Sequence, residues 1–170
     1  MPFYGWIVST LIRRAVRRIS AGDLGPMLGR FADDATLVFP GDHSWGGEYK
    51  GKDEIRKFLE RFVEVGIQLE PHEIVVHGWP WNTTVMVRFT NDARDENGNV
   101  VYANRGMIFA QAAWGKIKYQ EDYEDTQKVV AFDKYWPHTR TRPARLSTAV
   151  GRIAARSLGP QIPDEKEWAL

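Results

Sequence analysis

The 170-residue chain contains no cysteine, and this absence excludes several kinds of chemistry. Without thiols the chain cannot form a disulfide framework, a thiolate metal site or a cysteine nucleophile. It also lacks any run that approaches the roughly 20 apolar residues needed to cross a bilayer. Its first apolar residues precede the arginines, which is the reverse of a secretory signal peptide. We therefore expect a soluble, cytoplasmic protein without an export signal.

Acidic residues are missing from residues 134–160, which carry six basic residues. The first 30 residues hold five arginines and one aspartate, whereas residues 31–133 are acidic overall. Basic ends around an acidic body suit two arrangements. In the one we favour, the ends fold back on the acidic body; in the other, they contact an anionic membrane surface or nucleic acid. We expect no specific nucleic-acid partner.

Large apolar side chains, in contrast, are abundant. The chain has 7 Trp, 6 Tyr and 8 Phe, far more than a disordered polymer carries. Its length suits a single core. Proline and glycine recur in the C-terminal part, where only residues 144–158 favour a helix. These observations predict one domain over residues 1–133 and a basic C-terminal extension over residues 134–170.

The spacing of apolar residues changes along the chain from a period of 3.6 to a period of 2. Helical spacing predicts three helices: one over residues 7–19, a short one that begins near Pro26, and one over residues 52–65. A short strand over residues 35–39 and a glycine-rich loop over residues 41–51 precede the third helix. Four alternating runs separated by turn signals then predict antiparallel strands over residues 70–79, 83–92, 100–114 and 116–126.

Three short motifs occur in this order: residues 29–37 (GRFADDATL), residues 49–55 (YKGKDEI) and the passage from GKI to EDYEDT within residues 114–126. They resemble passages of the nuclear transport factor 2-like superfamily, in particular its SnoaL-like domains, and the resemblance covers about residues 5–130. It implies an α+β fold in which a curved, largely antiparallel mixed sheet wraps as a cone around three N-terminal helices. It also implies a pocket for a small, largely apolar molecule.

The closing strand carries a catalytic carboxylate in two enzyme groups of this superfamily. Matching GKI to the SnoaL-like polyketide cyclases or to the limonene epoxide hydrolases places Asp122 at that position. The hydrolases also use an arginine and, two residues later, an aspartate; Arg88 matches the arginine, but Thr90 replaces the aspartate. Ketosteroid isomerases have an aspartate where Phe39 stands. The resemblance therefore implies Asp122 as acid or base and Arg88 as its partner, without defining the reaction.

Strand alternation does not decide whether the side chains of Asp122 and Arg88 point into the cone or towards solvent. Asp122 shares one face of its strand with Lys118, Gln120 and Glu124, which suits either a pocket wall or a solvated surface. In a pocket, burial would raise the pKa of the carboxyl group towards the range needed for acid or base work. Arg88 either points into the cone to meet a carboxylate there or serves only in a salt bridge.

Four other residues are candidates for ligand binding. His43 and Trp45 stand in the glycine-rich loop, where they are placed to close the pocket mouth, although a loop histidine is also often simply exposed. Asn104 on the long central strand and Gln120 on the closing strand complete the set. No metal site is predicted, because the two histidines of the first long strand face opposite sides. No cofactor is predicted, because phosphate-binding and dinucleotide fingerprints are missing.

We therefore expect a cofactor-independent enzyme that acts on a small hydrophobic, oxygenated molecule by proton transfer or water addition. The alternative is a non-catalytic module of the same fold that only binds such a molecule. A homodimer is expected as well, because both faces of residues 100–114 are apolar and one layer of helices covers only one of them. The chain's own C-terminal extension is the alternative cover.

Overall fold

Four helices and six strands make up residues 2–136, the part of the chain that the computed structural model describes. In chain order they are α1 (Pro2–Ser20), α2 (Gly25–Leu28), β1 (Phe31–Phe39), β2 (Gly47–Lys50), α3 (Lys52–Val65), β3 (Gln68–Trp79), β4 (Asn82–Arg94), β5 (Val100–Ala113), β6 (Lys116–Glu124) and α4 (Thr126–Tyr135). The helix predicted over residues 144–158 lies outside the described residues. Within them, no helix is long and apolar enough to cross a membrane.

All six strands belong to one mixed sheet with the order β2-β1-β6-β5-β4-β3. Only β1 and β6 are parallel neighbours, and the other adjacent pairs are antiparallel. Strands β3 to β6 form a continuous meander, because tight turns connect each strand to the next. The expected α+β class and the curved mixed sheet are thereby confirmed.

Helices α1 and α3 cover one face of this sheet because each presents an apolar stripe to it. Along α1, Ala15, Val16 and Ile19 are buried, whereas Arg14 and Arg17 on the other side of the helix are exposed. Hydrogen bonds fix α1 along β3, including one from Arg13 Nη1 to the backbone oxygen of Pro71 at 2.6 Å. Helix α3 packs on β1 and β2. Burying one large apolar side chain here contributes about 1.5–3 kcal/mol to the free energy of unfolding.

Two elements were not foreseen in the sequence. Strand β2 lies within the predicted glycine-rich loop, and its four residues are too few to show an alternating pattern. Helix α4 follows β6, which ends at Glu124, before the predicted limit at residue 126. Asp125 caps this helix, since its carboxylate accepts from the backbone N–H of Gln127 at 3.0 Å. The predicted division of the chain after residue 133 falls inside α4 and stays a prediction.

Candidate functional site

An apolar cavity of about 170 Å³ lies between the helices and the concave face of the sheet. Side chains at helical spacing on α1 form one wall, α3 contributes another, and inward-facing residues of β4, β5 and β6 line the sheet side. Five of the lining residues have polar side chains: Tyr4, Arg30, Thr83, Gln120 and Asp122. A small number of polar groups on an apolar wall is typical of a site for a small organic molecule.

Asp122 is the carboxyl group of this cavity, and only 8% of the residue is exposed. Its Oδ1 accepts a hydrogen bond from Gln120 Nε2 at 2.8 Å. Burial raises the pKa of Asp122 to about 7; the Gln120 hydrogen bond opposes the rise, and the nearby charges of Glu124 and Glu121 add to it. Near neutral pH, both the protonated and the ionised form of Asp122 are therefore populated.

A β-bulge brings Asp122 to the inner face of β6. Ile117 and Asp122 both line the cavity although they are five residues apart, an odd spacing that regular alternation does not permit. The pairing of β5 with β6 shifts at Lys118, which stands unpaired in the register. Lys118 points to the outside and forms a 2.8 Å ion pair with Asp34. Beyond the bulge, Gln120 and Asp122 face inward, so the face they share is a pocket wall.

A smaller chamber of about 40 Å³ adjoins the cavity at Asp122. The side chains of Phe58, Phe62 and Ile108 line both spaces, as Asp122 does. We call the smaller space the inner chamber. Its wall also contains the polar residues Asn91, Tyr102 and Glu124.

Glu124 is held behind Asp122 by three hydrogen-bond donors. Asn91 Nδ2 donates to Oε1 at 2.9 Å, while Tyr102 Oη and Asn104 Nδ2 donate to Oε2 at 2.6 Å and 3.1 Å. Burial raises the pKa of Glu124, and the three donors oppose this rise by stabilising the carboxylate. Burial and the charge of Glu124 raise the pKa of Tyr102 far above its usual value, so this phenol remains a donor.

The structure brings two of the predicted site residues, Asp122 and Gln120, into direct contact in the cavity. Trp45 is buried on the wall of the inner chamber, where the guanidinium of Arg61 lies 4.1 Å from the centre of its ring. Asn104 is buried too, but it reaches Glu124 and not the larger cavity. His43 lies outside the lining of both spaces, and its Nε2 is 3.0 Å from the backbone oxygen of Pro40.

The predicted meeting of Arg88 with Asp122 needs correction. Alternation along β4 turns Val87 and Phe89 inward and therefore turns Arg88 to the outer face of the sheet. There 61% of its side chain is exposed, and its Nε lies 3.6 Å from the carboxylate of Glu73 on the adjacent strand. Arg88 thus serves in a surface salt bridge.

Several residues that line the site were missed in the sequence. Tyr4 continues the inward stripe of α1 one turn before Val8, and its hydroxyl is 2.6 Å from Thr83 Oγ1. Thr83 donates its own hydrogen to the backbone oxygen of Trp79, so Tyr4 is the donor in this pair. Asn91 interrupts an alternating series of inward apolar residues on β4, and a polar residue at such a position is a signal that could have revealed it.

No group of three or more His, Asp or Glu side chains that could hold a metal ion is found among residues 2–136. The cavity and the inner chamber bring carboxyl, amide and hydroxyl groups together on apolar walls, and such groups can form hydrogen bonds to an organic molecule.

Comparisons with known proteins agree with this architecture. A family model described as a SnoaL-like domain matches residues 12–120. Among solved structures, a nuclear transport factor 2-like protein of unknown function from Burkholderia pseudomallei has a TM-score of 0.61 at 19% identity, covering 73% of this chain and 95% of that chain.

Two other solved structures are similar over the same part of the chain. TerC, crystallised with polyporic acid, has a TM-score of 0.58 at 21% identity, covering 72% of this chain and 96% of that chain. A candidate polyketide cyclase from Xanthomonas campestris has a TM-score of 0.52 at 20% identity, covering 72% of this chain and 93% of that chain. At such identities the likeness concerns the fold. No curated protein matches the sequence.

Proposed function

Since the chain belongs to the SnoaL-like domain family, we propose that it is a cofactor-independent enzyme for a small hydrophobic, oxygenated molecule. The proposed chemistry is acid or base catalysis by Asp122. One observation carries this proposal: a carboxyl group with a pKa of about 7 lines an otherwise largely apolar cavity. Catalytic acids and bases work best when their pKa lies near the working pH.

The two oxygens of Asp122 have different surroundings. Gln120 donates to Oδ1 and thereby restrains the rotation of the carboxyl group. Oδ2 has no hydrogen-bond partner among residues 2–136 and is the atom that would take a proton from a bound molecule or give one to it. In this proposal Asp122 is the catalytic residue and Gln120 is its positioning residue. Because the two share a strand face two residues apart, their geometry is fixed by the backbone of β6.

The alternative function, a module that binds without turnover, has an observation of its own. Of the epoxide-hydrolase set, Asp122 lines the cavity, whereas Arg88 and Thr90 lie on the outer face of β4. The second acid that protonates an epoxide in those hydrolases has no counterpart at Thr90, and this missing acid favours a module that binds without turnover. If the chain is an enzyme, the same missing acid favours simple proton transfer over the addition of water to an epoxide.

A small hydrophobic molecule is the proposed ligand of the cavity. The structural neighbour TerC was crystallised with a small organic molecule, which supports a ligand of this class for the cavity. A homodimer is proposed through the outer face of the sheet, where several apolar side chains are exposed. A location in the cytoplasm remains a prediction from the sequence, and contact of the basic ends with a membrane surface remains the less favoured arrangement.

Deuterium exchange tests the catalytic proposal without knowledge of the natural substrate. A panel of cyclic ketones is incubated with the protein in deuterated buffer, and exchange at the carbon next to the carbonyl is measured by mass spectrometry. Asp122→Asn removes the base and should slow the exchange of an accepted ketone by about 10²–10⁴-fold, with ketone affinity nearly unchanged. Glu73→Gln, the same carboxyl-to-amide change at an exposed position of β3 on the outer face of the sheet, is the matched control and should exchange like the wild type.

Each result separates the two functions. If Asp122→Asn exchanges as fast as the wild type, Asp122 is not the catalytic group. If the wild type binds the ketones but exchanges none of them and hydrolyses no epoxide in a parallel panel, the non-catalytic module is the better description.

A further inference from the structure

Asn91 carries a buried oxygen atom without a hydrogen-bond partner. The residue is 5% exposed, and Asn91 Oδ1 is the one side-chain oxygen or nitrogen among the described residues that is itself shielded from solvent and lacks a partner. Leaving a buried acceptor without a hydrogen bond lowers the stability of the folded protein. In a folded protein such an atom calls for a partner, which can be a bound molecule or an ordered water.

The hydrogen bonds of Glu124 fix the direction in which this oxygen points. A carboxylate only accepts hydrogen bonds, and Tyr102 and Asn104 already donate to its other oxygen. The amide nitrogen of Asn91 must therefore face Glu124, at 2.9 Å. Turning the amide over would place two acceptor oxygens against each other. The free oxygen of Asn91 consequently points away from Glu124, and Asn91 is one of the residues that line the inner chamber.

The size and chemistry of the inner chamber limit what can occupy it. A volume of about 40 Å³ admits a hydroxyl group or a water molecule but not a ring. Its polar groups include the acceptor Asn91 Oδ1 and the two acidic residues Asp122 and Glu124, and aromatic side chains such as Phe89 and Phe132 form much of the rest. Such a wall attracts a hydrogen-bond donor and repels an anionic group.

We propose that the inner chamber is a subsite for a hydroxyl group of the ligand, with Asn91 Oδ1 as its acceptor. The apolar body of the same molecule occupies the larger cavity and passes Asp122 where the two spaces meet. The proposed substrate class is thereby narrowed to hydroxylated ring compounds, such as phenols and cyclic alcohols. This inference rests on the proposed function only in assuming that the ligand occupies the larger cavity; it does not require turnover.

Binding of 2-naphthol and of naphthalene to the full chain, measured by calorimetry, tests the subsite. The two molecules differ by one hydroxyl group, and the wild type should bind 2-naphthol about fivefold or more tightly, which is the affinity ratio that one buried hydrogen bond of about 1 kcal/mol produces. Asn91→Leu keeps the size of the side chain and removes the acceptor, so it should abolish the preference and leave the naphthalene affinity within about threefold. Thr90→Val, the neighbouring residue on the outer face, is the control and should retain the preference.

Binding of the two molecules to the wild type can refute the subsite by itself, even if the Asn91→Leu variant fails to fold. Equal affinity of the wild type for both molecules refutes the hydroxyl subsite but leaves a ligand cavity. Binding of neither molecule refutes both the subsite and the proposed cavity ligand. A preserved preference in a folded Asn91→Leu protein shows that another group binds the hydroxyl, and it refutes the assignment to Asn91. Loss of catalysis in Asp122→Asn with the preference intact concerns only the proposed reaction, and the subsite stands.

Discussion

At the scale of single residues, Asp122 shows how burial raises the pKa of a carboxyl group at a cost in stability. Water no longer solvates its carboxylate, and the one hydrogen bond from Gln120 only partly replaces that solvation. The proton is therefore held more tightly in the folded protein than in the unfolded chain. The raised pKa that suits Asp122 to the proposed proton transfer also makes the stability of the fold dependent on pH.

This property gives a prediction for stability. The pKa of Asp122 is about 7 when folded, against 3.8 for the free group, so between those values the folded state binds more protons than the unfolded state. The free energy of unfolding must then fall as the pH rises through this window, by about 4 kcal/mol for a shift of roughly three pH units. In Asp122→Asn the group cannot ionise, so this part of the decrease should disappear.

Urea unfolding between pH 4 and pH 8 measures the effect. At pH 8 the free energy of unfolding of Asp122→Asn should exceed that of the wild type by up to about 4 kcal/mol, and the two should converge near pH 4. Glu124 contributes its own pH dependence in both proteins, and this contribution cancels in the difference except for its charge interaction with Asp122. Identical pH profiles for both proteins would mean that Asp122 is solvated in the folded state.

The sequence reveals this residue through a family motif and not through its pattern. The GKI motif and the spacing after it identify Asp122, but alternation cannot decide which way the side chain points, because the bulge at Lys118 is set by pairing with β5. Arg88 shows the converse case. Its match to the family motif suggests a role in the site, whereas alternation with Val87 and Phe89 predicts a position on the outer face of the sheet. The structure has Arg88 on the outer face.

At the scale of elements, long segments with a clear apolar period were predictable. A short strand, and a helix that depends on its N-cap more than on an apolar stripe, were not. Helix α3 has the predicted limits of residues 52–65, since its apolar stripe is continuous and Gly66 ends it in the left-handed conformation. Helix α4 has only two buried residues, Val129 and Phe132, so its stripe is too weak to be read in the sequence. It is formed by its Asp125 cap and by packing against β5.

A substitution in α4 tests whether this helix belongs to the core. The ring of Phe132 lies 4.7 Å from that of Tyr102, which itself holds Glu124. Phe132→Ala should lower the free energy of unfolding by about 3–5 kcal/mol, the range for a buried phenylalanine. Tyr135→Ala, at an exposed position of the same helix, should change it by about 0.5 kcal/mol or less. Comparable small effects in both variants, measured by urea unfolding, would mean that α4 is not packed on the sheet.

At the scale of the whole molecule, the outer face of the sheet remains uncovered by residues 2–136. Four apolar side chains on neighbouring strands of this face, Val75, Met86, Met107 and Tyr123, are each between 41% and 49% exposed. The register places Val75 beside Met86, and Met107 beside Tyr123, so they form one patch across β3 to β6. The predicted apolar character of this face is present, although the sequence did not decide which of the two apolar faces of β5 lies away from the helices.

A homodimer through this patch is the remaining prediction. Met86→Asp places a charge between Val75 and Phe109, which pair with residue 86 on either side, and should dissociate the dimer with little effect on folding. Trp81→Glu is the control, since Trp81 belongs to a different exposed group that includes Trp114 at the turns. Sedimentation at micromolar concentration measures both variants and the wild type.

A shortened chain that ends at Trp136 tests which of the two alternatives covers this face: the sheet of a second copy or the C-terminal extension. A dimer that persists in the shortened chain and dissociates in Met86→Asp supports pairing of the two sheets. If instead the full chain is a monomer and the shortened chain associates, residues beyond 136 cover the patch and the dimer prediction is wrong. Dissociation by Trp81→Glu but not by Met86→Asp would place the interface at the turns. Because a buried charge opposes association only where the surfaces meet, the two variants locate the interface directly.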